Sequence, residues 1–129
     1  MSKEVYVSFG VAKLLKEKGF DWECHHEYHL AAAYPWFHRK KKNFNGKEYS
    51  GLINEWYSAP TQAMACRWLM EEKHIFIGRD FEIDKETTNL LFYSSIKDMN
   101  TGKLITTIGA FSPEDAVEAA LQYCLTNLI

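Results

Sequence analysis

The clearest pattern in the chain is a stripe of apolar residues at helical spacing near its C-terminus. Ser112 and Pro113 precede this stripe, and two acidic residues follow them, as is typical of a helix start. The apolar positions recur every three or four residues: Val117, Ala120, Leu121, Cys124, Leu125 and Leu128. The sequence therefore predicts a C-terminal helix that buries one face.

Two further segments carry helix start signals of the same kind. Ser8 can cap a short helix that ends at Gly19, because glycine readily adopts the left-handed conformation that closes a helix. A second helix is predicted from Ser58 to about Glu72, with Pro60 near its first position.

Alternating apolar and polar residues predict the strands. The segment 21–30 alternates over its whole length, with Trp22, Cys24, His26, Tyr28 and Leu30 on the side expected to face the core. Its acids and outer histidines are expected to form a solvated face, with His26 hydrogen-bonded inside. Ile75 to Ile83 alternates similarly, and the segments 89–98 and 103–108 flank a turn in the manner of a hairpin.

The predicted order is α-β-α-β-β-β-α. It indicates an α+β fold, in which three helices cover one face of a mainly antiparallel sheet of about four strands. A length of 129 residues favours a single domain, 1–129, with a loop or hairpin insertion at about 31–57.

Composition narrows the classes of function. The chain has 15 basic and 17 acidic side chains, so any surface for nucleic acid has to be local. No stretch approaches the ~20 apolar residues that span a bilayer, and we expect a cytoplasmic protein that does not bind membranes. The three cysteines are widely spaced, which fits reduced thiols better than a disulfide framework. No motif indicates a cofactor.

The side chains that could act as nucleophiles are better assigned to structural roles. Ser8, Ser58 and Ser112 are predicted helix caps, and no glycine-flanked turn surrounds the remaining serines. Cys24 lies on the apolar side of its strand, where a thiol is less reactive. We therefore assign no catalytic residue and favour a protein that is not an enzyme.

One segment is rich in metal-ligand chemistry. Glu23, His25, Glu27 and His29 lie on one side of the predicted strand, but side chains two apart give at most two ligands for one ion. A solvated strand face is the favoured interpretation. A metal-dependent hydrolase that uses these residues stays open as the third hypothesis for function.

A second segment combines aromatic and basic residues. Rings and cations together are what binding of single-stranded nucleic acid requires. The residues concerned are Trp36, Phe37, Arg39, Lys40, Lys41, Lys42 and Phe44. The favoured alternative is a solvated charge run at a hairpin tip, with the rings folded back onto the core or a partner.

Aromatic residues also suggest a protein interface. Trp36, Trp56 and Tyr57 are of the types that anchor interfaces, although Trp56 and Tyr57 are equally compatible with packing at the start of the second helix.

Several stretches resemble small uncharacterised proteins of Bacteroidetes phages and mobile elements. They are Val11–Asp21, Ala59–Gln62, Arg67–Leu69 and Glu114–Ala120. The resemblance implies an accessory protein of a phage or integrated element and assigns no residue role. We therefore expect a non-enzymatic binding module that contacts a protein partner or a second copy of itself through the segment 34–57, with single-stranded nucleic acid as the alternative partner.

Overall fold

A computed structural model describes residues 4–29, 34–49 and 55–129. The chain divides into two compact units, residues 1–65 and 66–129. The described residues contain three α-helices and two three-stranded antiparallel sheets, which confirms the α+β class. The predicted single sheet of about four strands is corrected to six strands in two sheets.

The first unit contains one helix and one sheet. Helix α1 spans Phe9–Glu17, and the strands are β1 (Cys24–Tyr28), β2 (Trp36–Lys42) and β3 (Tyr57–Ser58). Strand β1 lies in the centre and pairs with both neighbours, so β2 is an outer strand. A 3-10 helix at Lys47–Tyr49 follows β2.

Helix α1 has the predicted caps. The Ser8 hydroxyl accepts a hydrogen bond from the Val11 amide at 3.2 Å, and Gly19 has a φ of 92°. Its buried residues Val11, Ala12 and Leu15 share one face, and the helix contacts β3. Burial of this face holds the helix in place, because so short a helix is marginal alone.

The second helix, α2, spans Gln62–Lys73 and begins later than predicted. Thr61 acts as its cap, since the Thr61 hydroxyl accepts from the Met64 amide at 3.1 Å. Ser58 is part of β3 instead, where its buried hydroxyl accepts from the Phe44 amide at 3.0 Å. The predicted Ser58 cap is therefore wrong, and Pro60 precedes the helix.

The second unit contains the other sheet and the C-terminal helix. Strands β4 (Ile75–Ile83), β5 (Leu90–Asp98) and β6 (Leu104–Ala110) pair in sequence order, and helix α3 (Pro113–Asn127) contacts all three. The predicted hairpin and the predicted start of α3 are confirmed. Ser112 accepts from the Asp115 amide at 3.1 Å.

Strands β2 and β3 were not predicted. Five of the seven residues from Trp36 to Lys42 are basic or histidine, so β2 has no apolar alternation, and β3 has only two residues. Both form because β1 offers backbone partners on each side. Residues 31–33 and 50–54 of the predicted insertion lie outside the described residues, as does Leu30 of the predicted strand.

Candidate functional site

The basic and aromatic segment lies on the outer strand β2. Trp36 is 52% exposed and Phe37 is 65% exposed, and the four cations 39–42 are also exposed. Within the described parts of the chain, none of these four cations forms an ion pair. Among the described residues of its unit, strand β2 pairs with β1 alone, so the run lies on an outer strand.

The pairing of β1 with β2 is irregular where the cations lie. Cys24 pairs with Lys42 and His26 pairs with Phe37, so one residue of β1 faces four residues of β2, 38–41. This bulge interrupts the backbone ladder. The ring of His25 bonds through Nδ1 to the carbonyl oxygen of His38 at 3.0 Å. Because a carbonyl only accepts, Nδ1 carries the proton, and the side chain replaces a missing backbone donor.

Glu27 is fully buried, although the alternation predicted a solvated position. Its carboxylate lies 2.8 Å and 3.1 Å from Nδ1 of His29 and 3.0 Å from Nε2 of His38. As a carboxylate, Glu27 accepts from both rings, which compensates for its removal from water. The predicted solvated face is therefore wrong at this position. The bulge changes the alternation, and β2 covers the side that was expected to meet solvent.

Aromatic rings surround the two histidines bound to Glu27. His29 lies 4.8 Å from Trp36 and 5.1 Å from Trp56, and His38 lies 4.7 Å from Phe44, all measured between ring centroids. This group, the Glu27 cluster, joins β1, β2 and the segment before β3.

The residues proposed for an interface differ in their contacts and exposure. Trp56 stacks on Tyr49 at 5.1 Å and 16°, and Tyr57 meets Phe9 edge-on at 5.6 Å. Both are half-buried, whereas Trp36 is exposed. Of the rings proposed for nucleic acid, Phe44 is buried, so only Trp36 and Phe37 remain accessible for stacking on a base.

A cleft of about 180 Å³ adjoins strand β2. Its walls combine aromatic, cationic, acidic, apolar and small polar side chains, and they come from the N-terminal segment, β1, β2, the segment that leads into α2 and the start of that helix. The lining residues are Glu4, Tyr6, Cys24, His25, His26, Lys41, Ala59, Pro60, Thr61 and Met64.

Burial shifts the pKa values of several side chains that line the cleft. Burial lowers the pKa of His26, and the neighbouring His25 lowers it further. Burial raises the pKa of the Cys24 thiol to about 12, which outweighs the opposite effect of Lys41. Burial and a hydrogen bond to Glu4 raise the pKa of Tyr6. Near neutral pH the ring of His26 and the Cys24 thiol are therefore uncharged.

Of the four residues proposed for a metal, the structure brings Glu27 and His29 into contact. His25 bonds to the His38 carbonyl, Glu23 is exposed, and His29 shares Glu27 with His38. In the described ranges, no three His, Cys, Asp or Glu side chains are arranged to hold a metal ion.

Sequence reasoning missed three residues of this region. His38 directly precedes four cations, and the sequence does not distinguish it from that run of charge. Tyr6 and Thr61 form an isolated β-bridge that brings the N-terminal segment to the cleft. No periodicity marks such a single bridge, so the sequence carried no signal for the cleft.

Comparisons with known proteins give no relative for this chain. No protein-family model, curated protein or solved structure matches it. Among the described residues, no helix is both long and apolar enough to span a bilayer.

Proposed function

We propose that this protein binds single-stranded nucleic acid along strand β2. The observation that carries the proposal is the presence of two exposed rings and four exposed cations on one outer strand. Rings stack on bases and cations neutralise phosphates, and bases are free to stack on protein rings in a single strand. The bulge at 38–41 supports this role, because Arg39, Lys40 and Lys41 lie outside the regular pairing with β1.

The Glu27 cluster holds strand β2 in a fixed position against β1. His38 bonds to Glu27 at 3.0 Å, and Trp36 packs on His29. Side-chain contacts to β1 and the residue after it therefore hold β2 on both sides of Phe37. A preorganised surface loses less conformational entropy on binding than a mobile basic loop does. In this proposal Glu27, His29 and His38 position β2, and the exposed part of the Trp36 ring contacts the ligand.

The test is fluorescence anisotropy with a labelled single-stranded oligonucleotide across a salt series. Four phosphate contacts give a slope of log affinity against log salt of about −3 for a single strand. Replacement of Arg39, Lys40, Lys41 and Lys42 by glutamine should remove most of the binding and flatten this slope. Phe37→Ala should weaken binding by roughly 5- to 150-fold, because stacking contributes about 1–3 kcal/mol per base.

A matched control keeps the same change in net charge. Arg79, Lys85, Lys97 and Lys103 are exposed cations of the second unit, and their replacement by glutamine should leave binding within about twofold. Equal loss in both quadruple variants would show a general charge effect and contradict a site on β2. Unchanged binding after the β2 substitutions would reject the proposal outright.

Contact with a second copy of the chain is a second candidate function. In the second unit, Phe81 pairs with Phe92 and Ile83 with Leu90, so these four residues share a face of the sheet. Phe81, Ile83 and Leu90 are 56%, 59% and 48% exposed. An exposed apolar patch favours association, and an identical patch on a second copy is chemically complementary to it.

The molar mass in solution tests this second candidate. A dimer that becomes a monomer after Phe81→Ser with Ile83→Ser would support it, and a monomeric starting protein would reject it. An accessory role in a phage or mobile element also stays a prediction.

A further inference from the structure

The cleft lies directly beside the outer strand β2. Lys41 belongs to the run of cations and also lines the cleft. The exposed Phe37 ring stacks on His25 with a centroid distance of 5.7 Å and lies 5.3 Å from His26. A single-stranded nucleic acid that stacks on Phe37 and contacts Lys41 would therefore pass directly beside the cleft.

The size of the cleft limits its ligand. Pockets for drug-sized ligands and cofactors usually have volumes of about 300–1,000 Å³. A cleft of about 180 Å³ is too small for a whole nucleotide cofactor, but it has room for a single planar ring system. Its ligand is thus a small group, or the part of a larger ligand that enters it.

The walls of the cleft suit a flat, uncharged and polar group. Tyr6 and His26 pack with a centroid distance of 4.2 Å, which gives the cleft an aromatic wall. With Nδ1 of His25 bound to the His38 carbonyl, its Nε2 is left as an acceptor in the neutral ring. Among the described residues, neither ring nitrogen of His26 has a hydrogen-bond partner in the protein. Burial keeps that ring neutral near pH 7, so it offers both a donor and an acceptor.

We propose that the cleft receives one unstacked nucleobase of the strand that β2 binds. This inference rests on the proposed function. The base would lie against the Tyr6 and His26 wall and bond to a histidine ring nitrogen, and Lys41 would contact the phosphate of the same nucleotide. Bases of single strands are commonly recognised in this way, by stacking on aromatic or histidine rings and by bonds to their polar edges.

The first test maps a mononucleotide on the unmodified protein by amide NMR. Adenosine 5′-monophosphate and uridine 5′-monophosphate are titrated separately, with inorganic phosphate as the reference. We expect at least one nucleotide to shift the amide signals of Ala59, Thr61 and Met64, and phosphate alone to leave them in place. No shift at the cleft with either nucleotide, or equal shifts with phosphate, would overturn the inference.

A variant removes the ring nitrogens of His26 from the cleft and leaves Tyr6 in its wall. His26→Leu keeps an apolar side chain of similar size but has no ring nitrogen. We expect its affinity for the effective mononucleotide to fall at least tenfold. Its affinity for the oligonucleotide should fall by less, with an unchanged salt slope, because the cations of β2 remain. Unchanged affinity for the mononucleotide in a folded His26→Leu protein would overturn the inference.

These tests separate the two proposals. Oligonucleotide binding that depends on the cations of β2, without nucleotide shifts at the cleft, would reject the inference and leave the proposed function intact. Oligonucleotide binding that survives the four glutamine substitutions on β2 would reject the proposed function, whatever the mononucleotide does. If His26→Leu does not fold, the mapping on the unmodified protein still decides whether a base enters the cleft.

Discussion

Glu27 and His38 are eleven residues apart in the sequence, and Oε1 of Glu27 lies 3.0 Å from Nε2 of His38. The same carboxylate holds His29, so one fully buried group fixes two rings on either side of the connection between β1 and β2. This arrangement explains how strand β2, which is rich in cations, remains paired with β1. Like charges on β2 repel each other, and the bonds to Glu27 offset that repulsion.

Removal of Glu27 should destabilise the protein strongly. Glu27→Ala leaves two imidazole N–H groups without their acceptor and opens a cavity, which together cost about 3–5 kcal/mol. Glu27→Gln retains one acceptor oxygen and should cost less. Unfolding in urea measures both values.

The control for this prediction is Glu23→Ala. Glu23 is exposed just before β1, and its loss should change the free energy of unfolding by no more than about 0.5 kcal/mol. A cost for Glu27→Ala that is as small as the control's would show that the two hydrogen bonds contribute nothing to stability.

The second unit was predicted well because its signals are local. Ile75, Ile77, Phe81 and Ile83 lie at even-numbered spacing along one side of the strand, and β4 and β5 pair through nine consecutive positions without a bulge. Ser112 and Pro113 mark the start of α3 within a few residues. Each of these features depends on neighbouring residues, which a periodic pattern records.

The first unit was predicted less well because its decisive contacts are distant along the chain. The burial of Glu27 depends on a bulge opposite 38–41 and on a ring eleven residues away, and neither leaves a period in the sequence. The cleft depends on the bridge between Tyr6 and Thr61. The chemistry of the candidate site was thus visible as residue types, but its geometry was not.

The cap of α2 offers a direct test of the corrected helix start. Thr61→Ala should destabilise the protein by about 1 kcal/mol, and Thr61→Asn should restore most of the loss, since asparagine also caps helices. Thermal unfolding monitored by circular dichroism gives both values. Ser58 behaves differently, because its buried hydroxyl serves the Phe44 amide.

The matched substitution at Ser58 distinguishes the two positions. Ser58→Asn places a larger side chain in a fully buried site and should lower stability by several kcal/mol. Tolerance of asparagine at Ser58 together with intolerance at Thr61 would instead favour a helix that starts at Ser58.

The thiols should be inert in the folded protein. Burial raises the pKa of Cys66 to about 11 and the pKa of Cys24 and Cys124 to about 12. At pH 8 the thiolate is therefore a very small fraction of each, and the thiolate is the reactive form. A disulfide reagent should label the native protein slowly and all three cysteines quickly in guanidinium chloride. Rapid labelling of the native protein at pH 8 would contradict this burial.

The pH dependence of stability provides a test of His26. Burial, together with His25 and His38, lowers its pKa in the folded protein, while Glu4 opposes this effect. An unfolded histidine has a pKa of about 6.5, so below that pH the unfolded chain binds the proton more readily. The contribution of His26 to stability is therefore present above pH 6.5 and is lost as the pH falls toward the folded pKa.

A comparison between variants isolates this effect from the other titrating groups. Urea unfolding of the unmodified protein and of His26→Leu is measured at pH 8 and pH 5. The unmodified protein should lose more stability between these two values than the variant does, because leucine cannot take up a proton. Groups that do not interact with His26 contribute equally in both proteins, so their contributions cancel in the difference. An equal loss in the two proteins would mean that His26 is as easily protonated in the folded chain as in the unfolded one, and a base in the cleft would then meet a cationic ring at mildly acid pH.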